Sequence, residues 1–470
     1  MKHTAALHLE RCGEPIYVQL YMELKKRIES GELSDSQKLP PIRKMAKSLN
    51  VNNVTVINAY KLLERNGYAY SRAGSGVYVM ARRAGNIQVD QKYDMYLKSQ
   101  MADRADAIDF AKSSPDPKLF PVSDFKAILN EVLDRDLGYA FEYTEVKGYK
   151  PLRECILDML CRNGIECRIE DIQIISGAQQ GIDIVAKAMV DYNDIIITER
   201  PTYTGAIAVF KSRGADIIDI PITQEGIDCF KLESVLKEQS PKFIYVMSSF
   251  QNPTGFSYSE ETKERLIYLA GKYDFYIIED DYLSDLYYFE KPKLLKQYDK
   301  NDRVILIKSF SKIFMPGMRI GFLIVPPKLQ SRVAAAKQLS DISTSGLIQR
   351  AFDMYIRNNL LDRHIKSIRQ KYYERYNTAI QYIDGSIKKF DYYKPGGGVH
   401  LWIKLPEGLS SNMLYSECLM KNVIISPGST FFINRPEHGY IRLSFASTGP
   451  MDIKKGLDII SDAIEKLSGE

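Results

Sequence analysis

SFSKIFMPGMRIG, residues 309–321, is the stretch on which the reading of this chain turns. Lys312 follows two hydroxyls, Ser309 and Ser311, and precedes Arg319 across a turn marked by Pro316 and Gly317. A lysine among hydroxyls and an arginine is suited to form a Schiff base beside a bound phosphate. Arg319 would lower the amine pKa and pair with the phosphate.

Working outward, IIEDDY (277–282) closes a very apolar run with Asp280. A buried carboxylate there needs a cationic partner such as a pyridinium nitrogen. Asp281 is expected to be its solvent-facing neighbour. Tyr282, and Asn252 in QNPTG (251–255), are placed to donate to a phenolate, and Tyr203 in ERPTYTG (199–205) to stack on a ring. SGAQQG (176–181) sets small residues between a strand and a helix, which lets backbone N–H groups and the helix dipole approach a phosphate. Each residue taken singly is more often a surface lysine, a structural turn or a core tyrosine. The weight lies in their occurring together and in this order.

The segments that carry these residues are apolar strands alternating with amphipathic helices: DIQIIS, DIIIT, KFIYVMSS, FYIIED, RVILIKS and RIGFLIV. That alternation predicts an α/β fold with a parallel sheet and crossover helices, and open sheets of this kind hold ligands at the carboxyl ends of their strands.

At 470 residues the chain is long enough for several folding units. No run of about eighteen apolar residues occurs, and Met1 to Arg11 lacks the order of a secretion signal, so the cytoplasm is expected and no membrane partner. The six cysteines and five histidines are scattered at spacings unlike zinc sites, so the cysteines read as reduced packing residues and no metal is expected. Charge is uneven. Residues 1–83 hold 14 Lys/Arg against 7 Asp/Glu, a net +7, whereas the whole chain holds 64 against 59, a net +5. A basic module on a near-neutral body is the footprint of a DNA-binding head, though a solvated basic face gives the same count.

Within that module Ile16, Leu20, Leu24 and Ile28 recur every four positions, giving one helix that Gly31 ends. Pro40 and Pro41 open a second with Ile42, Met45, Ala46 and Leu49 inward and Arg43, Lys44 and Lys47 outward. A third runs to Asn66, with Val56, Tyr60 and Leu63 inward, stopped by Gly67. This is a helix-turn-helix. Asn53, Thr55 and Asn58, near the start of the third helix, can reach base edges or phosphates, and Asn there is equally a plain helix cap. Tyr68 to Met80 alternates β-formers around Arg72-Ala73-Gly74-Ser75-Gly76, a hairpin with a basic tip, hence a wing. Residues 82–106 mix both charges without sustained amphipathic pattern and read as a linker.

PIYVQLYMELKKRIESGEL (15–33) and KLPPIRKMAKSLNVNNVTVINAYKLLERNGYAYSRAGSGVYV (38–79) resemble the GntR family of winged-helix regulators along nearly the whole module. They depart from it at Pro41-Ile42, where the family more often has a small hydroxyl residue before a basic one. The region from residue 107 resembles fold-type I, class I aminotransferases. The fusion resembles MocR/GabR-type regulators over nearly the full chain. The resemblance implies a winged helix-turn-helix over 1–81, a linker over 82–106 and an aminotransferase-like domain over 107–470. In the last, a large part with a mostly parallel seven-stranded sheet would be followed by a smaller α+β part over about 345–470.

Carried over, the resemblance implies pyridoxal phosphate as cofactor, Lys312 as its Schiff-base lysine and Asp280 as partner of the pyridine nitrogen. Tyr282 and Asn252 would contact the ring oxygen, Tyr203 would stack, and Ala178, Gln179, Ser309, Ser311 and Arg319 would hold the phosphate. Tyr143, ahead of Gly148 in EYTEVKGYKPLR, matches the tyrosine such homodimers lend to the other subunit's phosphate. Arg442 in YIRLSFAS matches the arginine that grips a carboxylate, a task suited to a bidentate fork. Arg43, Lys44, Asn53, Thr55, Asn58, Arg72 and Ser75 would meet double-stranded operator DNA. The implied function is a transcription regulator that senses an amino acid or amine by aldimine exchange. A working aminotransferase with an accessory head, and a sensor of pyridoxal phosphate itself, remain open beside it.

Overall fold

The computed structural model describes residues 15–29, 32–34, 36–65, 68–72, 75–80, 106–387, 390–433 and 437–468. The expected linker over 82–106 therefore lies outside the described residues except for its last position. So do Gly31, Gly67, Asn66, the Ala73-Gly74 pair, Cys12, His3 and His8. The chain divides into two compact units, Met1–Gln88 and Val89–Glu470.

In the first unit the four-residue spacing yields α1 (Ile16–Glu29), which buries Leu20, Leu24 and Ile28 in one core with Val56, Ala59, Tyr60 and Leu63. Those last four belong to α3 (Asn53–Arg65), and α2 (Ile42–Leu49) adds Met45 and Ala46. Asn50 adopts the left-handed conformation that closes α2, where an Asn pays little for positive φ. Asn52 accepts from Val54 N at 3.0 Å, so the cap of α3 falls on Asn52 and not on Asn53. The hairpin follows as β1 (Ala69–Arg72) and β2 (Gly76–Val79), registered Arg72 to Gly76.

The second unit opens with β3 (Ile108–Asp109). Its large sheet contains β4 (Ile172–Ile175), β5 (Ile195–Arg200), β6 (Asp216–Thr223), β7 (Gly226–Ile227), β8 (Phe243–Val246), β9 (Tyr276–Asp281), β10 (Val304–Ser309) and β11 (Gly321–Ile324). The spatial order is β4-β11-β10-β9-β8-β5-β6-β7. The pairs from β10 through β9, β8 and β5 to β6 are parallel, and only β11 and the two-residue β7 run against their neighbours. The seven expected strands are present, with β7 as a short hairpin extension. β6, DIIDIPIT, escapes the apolar-run signal because it is half-buried near the sheet edge and carries Asp219 and Pro221.

A second, four-stranded sheet joins β12 (Asp391–Tyr392), β13 (His400–Lys404), β16 (Tyr440–Ser444) and β15 (Ser426–Pro427) in that order. β14 (Val423–Ile424) pairs in parallel with β3. Phe110 continues this seam: its N–H donates to Ile424 O at 2.8 Å and its carbonyl accepts from Ser444 N at 2.7 Å. The segment that opens the second unit thus packs with the one that closes it.

Gly321 lies opposite Ser309 in the β10–β11 register, and a Cβ there would stand 2.6 Å from the Lys308 carbonyl oxygen. Backbone cannot swing aside as a side-chain end can, so Gly321→Ala must part the two strands where Ser309 sits. A loss of about 1–3 kcal/mol is expected, read as a lower urea midpoint in chemical unfolding. An unchanged midpoint would show that the strands are not held that closely.

Candidate functional site

The carboxyl ends of β9 and β10 carry the site. Parallel register sets Asp280 beside Ile307 and Asp281 beside Lys308, so the two acids point to opposite faces of the sheet. Asp280 is buried; its Oδ2 accepts from Tyr245 Oη at 2.6 Å, and its Oδ1 has no hydrogen-bond partner. Burial lifts this carboxyl to about 7, against the pull of the Tyr245 bond. An oxygen left so calls for a cationic donor.

Asp281 corrects an expectation, for it is not solvent-facing but 2% exposed. Its Oδ2 accepts from Lys308 Nζ at 2.7 Å and from Ser284 Oγ at 2.7 Å. Lys308 also reaches Asp285 Oδ2 at 2.6 Å. Burial alone would push the Lys308 ammonium down, but the two carboxylates outweigh it and hold it above its ordinary range. The physical reason for the difference is the lysine one strand over: it supplies the counter-charge that lets the acid lie inside.

On the Asp280 face is a cavity of about 180 Å³. Lys312, Asp280, Asn252, Tyr203 and Tyr282 form one part of its wall, and Ala178, Gln179, Ser309, Ser311 and Arg319 another. At the second part, Gly177 adopts φ 95° and caps the helix Ala178–Met189. A Cβ on Gly177 would stand 2.6 Å from Arg319 Nη2, so glycine is what lets the guanidinium settle there, donating to Ser176 O at 2.6 Å. First-turn N–H groups, Arg319 and the Ser309 and Ser311 hydroxyls make an anion cradle.

Tyr203 Oη donates to Gln179 Oε1 at 3.1 Å. A Cβ at Gly205 would come within 2.5 Å of the Tyr203 ring, so the ring's position requires the glycine. Tyr282 Oη donates to the Phe250 carbonyl at 2.9 Å. Burial first, then Arg442 and Arg319, bring the Lys312 amine down to about 8. Arg442, 1% exposed, stands behind the wall. It donates to Asn252 Oδ1 at 2.8 Å, Ala111 O at 2.8 Å and Ser426 Oγ at 3.0 Å.

Tyr143 does not line the cavity and is 81% exposed. Ser113, Met247, Tyr245 and His400 belong to the site or its support and escaped the sequence. The pairing of Tyr245 with Asp280 follows only from the strand order, and that of His400 with Tyr282 only from the meeting of two sheets.

In the head, Arg43, Lys44, Asn53 and Asn58 are exposed and Thr55 is half-buried. Arg72 lies over Tyr70 at 5.5 Å and Tyr78 at 5.2 Å, the two rings stacked 5.7 Å apart. Ser75 Oγ meets Tyr78 Oη at 2.5 Å. Among the described residues no group of acidic, His or Cys side chains is arranged to hold a metal, and no helix is long and apolar enough to cross a membrane.

Pyridoxal phosphate fits this wall: Asp280 Oδ1 for the ring nitrogen, the cradle for the phosphate and a part-deprotonated lysine between them. Fold and cavity define a pyridoxal-phosphate-dependent protein of aminotransferase type that carries a DNA-binding head. Residues 114–460 match the family Aminotransferase class I and II, and residues 16–79 match the bacterial regulatory proteins of the gntR family. The chain therefore belongs to the class I and II aminotransferase family, in the GntR-headed architecture of MocR-type regulators.

The probable rhizopine catabolism regulatory protein MocR of Rhizobium meliloti is 30% identical over 467 residues, 96% of this chain and 94% of that protein. Aromatic-amino-acid aminotransferase 1 of Thermococcus litoralis is 32% identical over 375 residues, 78% of this chain and 90% of that protein. The crystal structure of Pyrococcus horikoshii kynurenine aminotransferase superposes with a TM-score of 0.77 at 30% identity, covering 82% of this chain and 96% of that one.

A lysine reacts with a carbonyl as the free base. In protein freed of cofactor, the rate at which Lys312 combines with added pyridoxal phosphate should therefore rise with pH, pass half-maximum near pH 8 and level off above it. Arg442→Gln removes a positive neighbour and should move that midpoint upward. A wild-type midpoint at the ordinary lysine value, or a downward move in the variant, would contradict the placement of Lys312.

Proposed function

We propose that this regulator senses an amino acid or related amine in its aminotransferase-like cavity and transmits the result to its winged helix-turn-helix. In this reading Lys312 is the covalent attachment point of pyridoxal phosphate, and Asp280 holds the ring nitrogen protonated. Tyr203 stacks, Tyr282 and Asn252 address the ring oxygen, and Ala178, Gln179, Ser309, Ser311 and Arg319 hold the phosphate. When bound, the cofactor supplies an aldehyde that combines reversibly with amines. Lys312 would hold that aldehyde, and Arg442 would receive the carboxylate of a ligand whose amine competes for it. The supporting observation is a buried guanidinium 2.8 Å from Asn252, a residue of the cavity wall, in a chain that also carries a recognition helix.

Two further assignments belong to the same reading. The chain acts as a homodimer in which Tyr143 reaches the other copy's phosphate, supported by the exposure of Leu137, Tyr139, Phe141 and Tyr143 in one short segment. On DNA, Asn53, Thr55 and Asn58 address base edges, Arg43 and Lys44 the phosphates, and Arg72 and Ser75 the backbone or minor groove beside the wing. An active aminotransferase is the second reading, favoured by the likeness to the Thermococcus litoralis enzyme and by the presence of lysine, acid and carboxylate-binding arginine in one site.

Binding to DNA should be steeply salt-dependent, because the basic head releases counterions from phosphates. Arg43→Ala or Lys44→Ala should weaken operator and random DNA alike and lower the log–log salt slope by roughly one. Asn53→Ala or Asn58→Ala should erode the preference for operator. Salt-insensitive binding, or binding unaltered by deletion of residues 1–80, would overturn the assignment.

Linkage supplies the test that separates regulator from enzyme: operator DNA must change amine affinity by the same factor by which the amine changes DNA affinity. Couplings of about 1–3 kcal/mol correspond to roughly five- to 150-fold, within reach of paired titrations with and without operator. Arg442→Ala should cripple the response to carboxylate-bearing amines. Equal amine affinity in both titrations, together with sustained keto-acid production, would favour the aminotransferase.

A further inference from the structure

Two polar side chains, one on the cavity wall and one behind it, are buried and have no hydrogen-bond partner among the described residues. Ser113 Oγ, on the wall itself, has no hydrogen-bond partner, and neither ring nitrogen of His400 has one. Native interiors rarely leave such groups bare, and beside a cavity a ligand atom can supply the missing partner.

Their position is set by strand geometry. Trp402 on β13 lies directly across from Arg442 on β16, so these two side chains share a face of the small sheet, and His400, two residues earlier, shares it as well. Its ring lies against Tyr282, with centroids 6.4 Å apart and planes 23° apart, and Tyr282 belongs to the cavity wall. Ser113 follows two residues after Ala111, whose carbonyl accepts from Arg442. The hydroxyl is thus on the wall itself, and the imidazole stands behind Tyr282, near the Arg442 charge.

The remaining groups limit what they can receive. Asp280 is the one carboxylate on the wall among the described residues, and it is committed to the ring nitrogen, so a cationic ligand side chain finds no counter-charge. Arg319, Lys312 and Arg442 are committed to phosphate, cofactor and α-carboxylate, so a second carboxylate finds no cation to spare. Burial, with Arg442 and Lys312 nearby, holds His400 neutral, and a neutral imidazole and a hydroxyl can each both donate and accept.

We propose that Ser113 and His400 read the ligand's side chain, and that the ligand is an amino acid whose side chain is neutral and hydrogen-bonding, a carboxamide or a hydroxyl. This rests on the amino-acid-sensing reading above.

The test uses pyridoxal-phosphate-loaded full-length protein and measures dissociation constants by calorimetry. The probes are L-alanine, L-glutamine, L-asparagine, L-serine, L-threonine, L-glutamate, L-lysine and L-norleucine. At least one of the four neutral polar amino acids should bind roughly tenfold or more tighter than L-norleucine, because an apolar chain leaves both buried groups unpaired. L-Glutamate and L-lysine should fall behind as well. Ser113→Ala and His400→Phe should each shrink the ratio between that amino acid and L-norleucine. Ser113→Ala removes a single oxygen and keeps the test valid should the larger exchange disturb folding. Binding of L-alanine with no polar preference, tighter binding of L-norleucine, L-glutamate or L-lysine, or a ratio unchanged in Ser113→Ala overturns this inference alone. Absence of binding by every probe overturns the sensing reading and this inference together.

Discussion

A guanidinium removed from water must find acceptors or cost several kcal/mol, and Arg442 finds them in three separate places. Asn252 belongs to the loop that follows β8 in the large sheet, Ser426 to the small sheet and Ala111 to the segment that opens the unit. One buried charge thus ties together parts of the chain far apart in sequence. The same charge contributes to lowering the Lys312 amine and keeping His400 neutral. Holding the unit together and tuning the lysine both pass through one side chain.

The two faces of the β9–β10 pair divide the labour of charge. On one face Asp280 keeps an oxygen open toward the cavity. On the other, Asp281 and Asp285 enclose Lys308 at 2.7 and 2.6 Å. Buried ion clusters of this kind add little to stability against an apolar alternative, and removing one partner is expensive. Their effect here is to fix the ends of two neighbouring strands, and the residues next in line, Asp280 and Ser309, are the ones that face the cavity.

The strands with unbroken apolar runs were legible because burial on both faces leaves them no other composition. The wall residues were legible because strand-end chemistry is compressed into short motifs, as in SFSKIFMPGMRIG. The half-buried β6 was not, since its Asp and Pro resemble loop residues. The fate of Asp281 was not, because it depends on Lys308, twenty-seven positions later and adjacent only through strand pairing. His400 was invisible for a similar reason: a lone histidine in a strand carries no sign of the Tyr282 ring or of the arginine it will sit beside. In the head, helix periodicity gave the core, while the cap fell one residue earlier, on Asn52, because neighbouring asparagines offer the same chemistry.

The hydrogen bond from Arg442 to Ala111 has a mechanical side. Ala111 follows β3, which is held by its short seam with β14 and by the bond from Thr448 Oγ1 to the Asp109 carbonyl at 3.0 Å. An anion that takes the Nη2 of Arg442 does so by competing with the Ala111 carbonyl. A carboxylate at Arg442 and the seating of the Ala111 segment would then be set by one competition for the same N–H groups.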